Sequence, residues 1–237
     1  MPQHGCRKIS IAFNYLHQRR RNMTVGKTFV ATVLQKRQHD LAAIRRQLKH
    51  KRPRPMPRNI VWALDLTYFG ERNHKHTVLG LVDHGSRACL ALSNLRTKTS
   101  VAILRAILDA IERFGKPRAI RTDNESIFTS ALFRLALRLL GIRHQRTAPF
   151  APWQNGRVER FFKTFKDLAR LWALPPDAEP QNDLDIFRFW YNHVRPHQHL
   201  DGLTPAQQWN GKGPDLSREA SYFSAWDGLL TGFYFPS

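Results

Sequence analysis

The chain has 237 residues, with 38 Lys/Arg against 18 Asp/Glu, a formal net charge of +20, and 42% hydrophobic residues. That length and apolar content exclude wholesale disorder and allow one core domain plus a small appendage. No apolar run approaches the roughly 18 residues that cross a bilayer. The first thirty residues hold no apolar signal core, so a cytoplasmic, nucleoid-associated protein without a membrane partner is expected. The two cysteines, Cys6 and Cys89, stand far apart, which argues against a disulfide framework or a structural zinc site. The charge is uneven: residues 1–58 carry 15 Lys/Arg and one acid, Asp40, a net of +14, and the remainder carries +6. A basic arm on a nearly balanced body points to a polyanion, most often nucleic acid.

Residues 1–50 form this arm. Stretches 7–21 and 25–48 read as helical; in the second, Val25, Phe29, Val30, Val33, Leu34 and Leu41 fall mostly three and four apart. Thr24 is the expected N-cap. A basic second helix after a tight turn has the layout of a helix-turn-helix reader, with Lys27, Lys36 and Arg37 as candidate DNA contacts. A plain basic helical arm fits the same pattern. The proline- and arginine-rich stretch HKRPRPMPRN follows, and residues 51–58 read as an extended charged linker.

The pattern then changes. NIVWALDLTYFG, TVLGLVDHGSR and ACLALSNLR read as three strands of an antiparallel meander. TSVAILRAILDAIERFG is an amphipathic helix capped by Thr99 or Ser100 and closed by Gly115. KPRAIRTDN is a buried strand, TSALFRLALRLLG a second helix, IRHQRTAPF a short strand, and a long helix is expected from Gly156 to Leu174. The order is that of an α/β fold: a mixed five-stranded sheet, three strands antiparallel and two parallel, flanked by helices. It occupies residues 59–210. Residues 211–237 make an aromatic-rich tail that could pack on the core or on another subunit.

Three carboxylates stand out. Asp65 interrupts the apolar run WALDLT, Asp123 ends the fourth strand, and Glu159 opens the long helix. A charge inside a central strand is costly to bury alone, so such groups are paired or bind metal. Fifty-seven residues separate Asp65 from Asp123, and 35 separate Asp123 from Glu159. Asp83 reads as core or edge, and Glu125 as pointing elsewhere. His193, His197 and His199 lack a strong zinc spacing and read as packing residues.

The D,D,35,E spacing resembles the signature of the retroviral integrase superfamily and of the bacterial insertion-sequence transposases that share its core. DLT at 65–67, TDN at 122–124, P-x-Q-N-G-x-V-E-R-F at 152–161 and YNHVRPHQHLDGLTPAQQW at 191–209 match in order. The resemblance implies an RNase H-like fold and a DDE transposase. Such an enzyme binds double-stranded element-end and target DNA and catalyses phosphodiester hydrolysis and strand transfer, with a homo-oligomer as its active complex. It implies that Asp65, Asp123 and Glu159 hold two Mg²⁺ ions, with Mn²⁺ able to substitute. On the long helix Glu159, Lys163 and Lys166 share one face; by resemblance the two lysines contact DNA, joined by Gln154, Asn155 and Arg157. A decayed DNA-binding protein on this fold and an RNase H-type nuclease are the alternatives. The chain lacks the N-terminal His/His/Cys/Cys module of retroviral integrases, which favours the transposase branch.

Overall fold

A computed structural model describes residues 5–42, 56–70, 75–147, 156–172 and 179–236. The chain divides into two compact units, residues 1–54 and 55–237.

In the first unit α1 (Cys6–Arg21) and α2 (Lys27–Lys36) form a helical hairpin. Asn22 takes the left-handed conformation that ends α1. The Asn14 side chain pins the turn by donating to the Val25 carbonyl and accepting from the Val25 N–H at 2.7 Å. Gly26, not Thr24, stands at the N-cap of α2. The single helix expected over 25–48 is interrupted. Arg37 leaves helical geometry, the helix resumes over 38–42, and 43–48 lie outside the described residues, as does linker segment 51–55. The apolar stripe forms little core of its own: Val30 is buried, while Phe29, Val33, Ile11 and Tyr15 are exposed.

The second unit is built on the run that Asp65 interrupts. β1 (Val61–Phe69) pairs antiparallel with β2 (His76–Asp83), which pairs antiparallel with β3 (Cys89–Leu95). On its other side β1 pairs parallel with β4 (Ala119–Thr122), and β4 with β5 (Arg143–Arg146). The order is β3-β2-β1-β4-β5. β1 is apolar on both faces up to Asp65 because both its faces are covered. Trp62, Leu64 and Leu66 pack with Ile103 and Ile107 of α3 (Ser100–Phe114) and with Phe133 and Leu137 of α4 (Ala131–Leu139). Thr99 caps α3 and Ser130 caps α4. Ala63 belongs to the opposite core, with Val158, Phe161, Phe162 and Phe165 of α5 (Gly156–Ala169).

β3 is an edge whose free backbone groups are taken up by amide side chains. Asn192 bonds the N–H and carbonyl of Cys89, and Gln181 bonds the Asn94 N–H and the Leu92 carbonyl. This blunts an edge that would otherwise template pairing. Gln181 lies on α6 (Pro180–Phe189), which the sequence reading did not anticipate; a π-helical turn, Trp190–Val194, extends it. After α7 (Pro205–Asn210), the expected tail is a hairpin of β6 (Ser221–Ala225) and β7 (Leu230–Tyr234), seated on the α5 side of the sheet through Trp226 and Leu230. Part of this segment thus packs on the core.

Gly80 sits opposite Asp65 in the β1–β2 register, and a Cβ there would lie 2.6 Å from the Phe162 ring. Its bareness lets α5 settle onto the sheet beside Asp65. Gly80→Ala is expected to cost roughly 1–3 kcal/mol by overpacking and to lower cleavage by displacing α5. Urea denaturation alongside an activity assay checks both.

Candidate active site on the α5 face of the sheet

Asp65 points to the α5 side because it follows Ala63 at period two on β1. Ala63 pairs with Arg121 on parallel β4, and two residues beyond that pair on each strand come Asp65 and Asp123. α5 crosses above, anchored by Phe161, Phe162 and Phe165, and presents Glu159 from its first turn. The result is an open cleft of about 410 Å³, lined by Asp65, Thr67, Glu159, Lys163 and Lys166 among others.

The electrostatics link all the acids. The Asp65 carboxyl is pushed up from 3.8 to about 7, chiefly by burial. The Leu66 N–H opposes this, and Asp123, Glu125 and Glu159 add repulsion. Burial also raises Asp123, which accepts from the Glu125 N–H at 3.0 Å. Thr67 Oγ1 is buried in the same wall without a partner among the described residues. Among those residues no three acidic, His or Cys side chains stand close enough to hold one ion together. The structure thus brings Asp65 and Glu159 into one cleft and sets Asp123 on the adjoining strand, within electrostatic reach of Asp65.

Several sequence expectations need revision, though not that for Glu125. It is near enough for its charge to raise both Asp65 and Asp123, yet its carboxylate is held by Lys98 at 2.9 Å and does not line the cleft, in keeping with the reading that it points elsewhere. Lys98 also donates to the Tyr68 hydroxyl at 2.9 Å, and those two contacts raise its pKa. Asp83 is structural: fully buried, it accepts from Asn59 N–H, Ser86 N–H and Ser86 Oγ. Lys163 pairs with Asp167 at 2.6 Å. Being exposed, that pair is weak enough to exchange for phosphate. Arg157 does not line the cleft; it is half-buried, and its guanidinium donates to the His84 carbonyl. Gln154 and Asn155 lie outside the described residues. In the other unit Lys27 and Lys36 are exposed, and Arg37 pairs with Asp40 at 3.2 Å. His193 stacks on Phe189 and His197 meets Tyr191 edge-on, as packing residues do.

An acidic cleft on a five-stranded sheet of this order defines an RNase H-like, integrase-type core. The integrase core domain profile matches residues 56–152, and a second integrase core domain profile matches 140–205. The chain belongs to the integrase core family. It is 30% identical over 176 residues to an uncharacterized 39.2 kDa protein of insertion element IS476 from Xanthomonas euvesicatoria, covering 69% of this chain and 50% of that one. It is 32% identical over 116 residues to the Gag-Pro-Pol polyprotein of human T-cell leukemia virus 2, covering 49% and 8%. The chain therefore spans half or less of these relatives. Among solved structures, the HTLV-2 integrase catalytic core domain in complex with magnesium superposes with a TM-score of 0.55 at 26% identity, covering 65% of this chain and 98% of that one. A simian T-cell lymphotropic virus intasome superposes with a TM-score of 0.58 at 25% identity, covering 79% and 72%.

Proposed function

We propose that this chain is a DDE transposase that cuts phosphodiester bonds at element ends and joins the freed 3′ ends to target DNA. The observation that carries this reading is the sharing of one cleft by Asp65 and Glu159 with Lys163 and Lys166, with Asp123 and Glu125 close enough to raise Asp65. In the first step a water oxygen bonds to phosphorus, the P–O3′ bond breaks, and a 3′-OH and a 5′-phosphate result. In the second step that 3′-OH bonds to a target phosphorus and displaces the target's own O3′. Each step exchanges one P–O bond for another, so no external energy source is required.

The residues present suit a divalent ion. Hard carboxylate oxygens that repel one another, with an unpartnered buried hydroxyl in the same wall, match what Mg²⁺ takes as ligands. Asp65 with Asp123, and Asp65 with Glu159, would each hold one ion of a pair, with Mn²⁺ able to substitute. When bound, such ions stabilise the attacking and leaving oxygens of an in-line displacement. Lys163 and Lys166 hold the flanking phosphates, and Lys98 keeps Glu125 from competing for the site by holding it in an ion pair. The HTLV-2 core is described in dimeric and trimeric forms and the simian viral protein as an intasome. These support a homo-oligomer on double-stranded DNA for this chain. Among the described residues no helix is long and apolar enough to cross a membrane.

The test is a strand-cleavage assay on a labelled duplex carrying the element's terminal sequence, with Mg²⁺ or EDTA, for wild type and Glu159→Gln. Cleavage by wild type in Mg²⁺ alone, with Glu159→Gln inactive, is the expected result. Equal activity of the two proteins, or preference for an RNA–DNA hybrid, overturns the reading.

A further inference from the structure

The sheet ends at β5, whose sequence RHQR is wholly polar. β4 pairs with one side of it, and among the described residues no strand pairs with the other. α4 runs into β5 through the turn at Gly141, where the Ile142 N–H donates to the Leu137 carbonyl at 2.8 Å. The Phe133 ring of α4 meets His144 edge-on, which ties helix to strand. Arg134 and Arg138, one helical turn apart on α4, are exposed, as are Arg143 and Arg146 at the two ends of β5. Burial, then Arg146 and Arg134, hold the His144 imidazole below its usual range, as two guanidiniums near it would. Arg143 is out of phase with His144 on the strand and lies on its other face. The four arginines therefore ring the edge of the sheet from both faces.

Nothing anionic balances them. From Ser126 to Val158 the sequence holds five arginines and no aspartate or glutamate. Among the described residues none of the four edge arginines meets a carboxylate, whereas Arg96 beyond β3 and Arg188 on α6 each do. A charged edge strand resists mispairing, but charge on the strand itself suffices for that and does not call for arginines on α4 as well. Like charges held together oppose folding by mutual repulsion. A row of cations along β5, about 10 Å from end to end, matches a polyanion that carries a charge every 3.4 Å or so along each strand.

We propose that this edge binds the phosphate backbone of the target duplex. α5 packs over β1 and β2, so Lys163 and Lys166 flank Asp65 from that side. β4, with Asp123 at its end, and β5 lie on the other side of β1, and β5 is about 10 Å from β1 across the sheet. An in-line displacement sets the attacking and leaving oxygens on opposite sides of phosphorus. With the cut element end held by the lysines, the target strand comes in from the β5 side, and Arg134, Arg138, Arg143 and Arg146 hold its phosphates. Arginine suits the role because its rigid fork matches phosphate oxygens two at a time.

The inference rests on the transposase reading, and its test has an arm that needs no catalysis. Fluorescence anisotropy of a labelled 30-base-pair duplex without an element end is followed over a salt series in EDTA. The proteins are wild type, the pairs Arg134→Gln with Arg146→Gln and Arg138→Gln with Arg143→Gln, and the same pairs changed to Lys. Arg96→Gln, at an exposed arginine paired with Glu179 beyond the opposite edge strand, is the control. Each Gln pair is expected to lower the slope of log affinity against log salt by about two, the share of two phosphate contacts. The Lys pairs keep the charge and are expected to keep the slope. In Mg²⁺, joining of a pre-cut end to the plain duplex should fall with the Gln pairs by more than cleavage of an uncut end duplex does. Unchanged slopes overturn the proposal. Equal falls in joining and cleavage also overturn it, assigning the edge to the element end. An inactive wild type would sink the transposase reading, while the slopes still decide whether the edge holds duplex DNA. If a Gln pair fails to fold, its single variants decide, with a slope loss of about one each.

Discussion

Asp65→Asn is expected to abolish strand cleavage and, at the same time, to stabilise the metal-free protein above neutral pH. The loss should reach roughly a thousandfold, the scale of removing one charge-stabilising group from an active site. The gain has a separate origin. Asp65 has a folded pKa of about 7 against 3.8 unfolded, so the folded state binds its proton more tightly. Its contribution to stability is fully present below pH about 4 and is lost as pH rises through about 7. A gap of about three units corresponds to about 4 kcal/mol, and the partial exposure of Asp65 reduces this to about 2. Asparagine keeps the shape and removes the charge, so the variant should overtake wild type in that window.

The measurement is urea denaturation in EDTA at pH 4 and pH 8. The two proteins should differ little at pH 4, and the variant should be the more stable at pH 8. Divalent ion should then narrow the difference by stabilising wild type alone, through mass action on the folded state. An ordinary structural aspartate behaves in the opposite way. Asp83, with three donors on its oxygens, would lose stability on becoming Asn. Parallel pH curves for wild type and Asp65→Asn would mean that the acids do not converge on Asp65.

How much of this could be read beforehand depends on how local each cause is. The strands, their succession along the chain and the cap at Thr99 follow from short-range patterns, and they match. Asp65 was visible because a charge inside WALDLT breaks an apolar run, and Asp123 and Glu159 because their spacing is that of a known family. The partner that holds Glu125 is Lys98, 27 residues earlier in the chain, which no local pattern reveals. Arg157 is a DNA contact by resemblance alone, and its hydrogen bond to a carbonyl 73 residues away is beyond any local pattern. The helix Pro180–Phe189 was missed since its apolar residues are few and spaced among acids and amides. The hairpin was missed because its strands are only half-buried, with exposed Tyr222 and Phe233 alternating with partly covered neighbours.

That hairpin yields the second large effect, Trp226→Ala. Trp226 is 4% exposed at the tip between β6 and β7. Its indole N–H donates to Asp183 at 2.9 Å, and its ring lies 5.7 Å from Trp172 and 5.8 Å from Phe187, stacked on both. Phe187 in turn meets Phe161 and Phe165 of α5 edge-on. Removing the indole therefore opens a cavity in the layer that carries Glu159 and leaves Asp183 without its donor. The expected cost is about 3–5 kcal/mol, read as a lower urea midpoint. Cleavage should fail at a lower temperature than in wild type, because α5 loses its support before the sheet does. Tyr222→Ala, on the exposed face of the same hairpin, should change stability by less than about 1 kcal/mol. If Trp226→Ala proved as mild as Tyr222→Ala, the hairpin would be an appendage, and α5 would have to be held over Asp65 by the sheet alone.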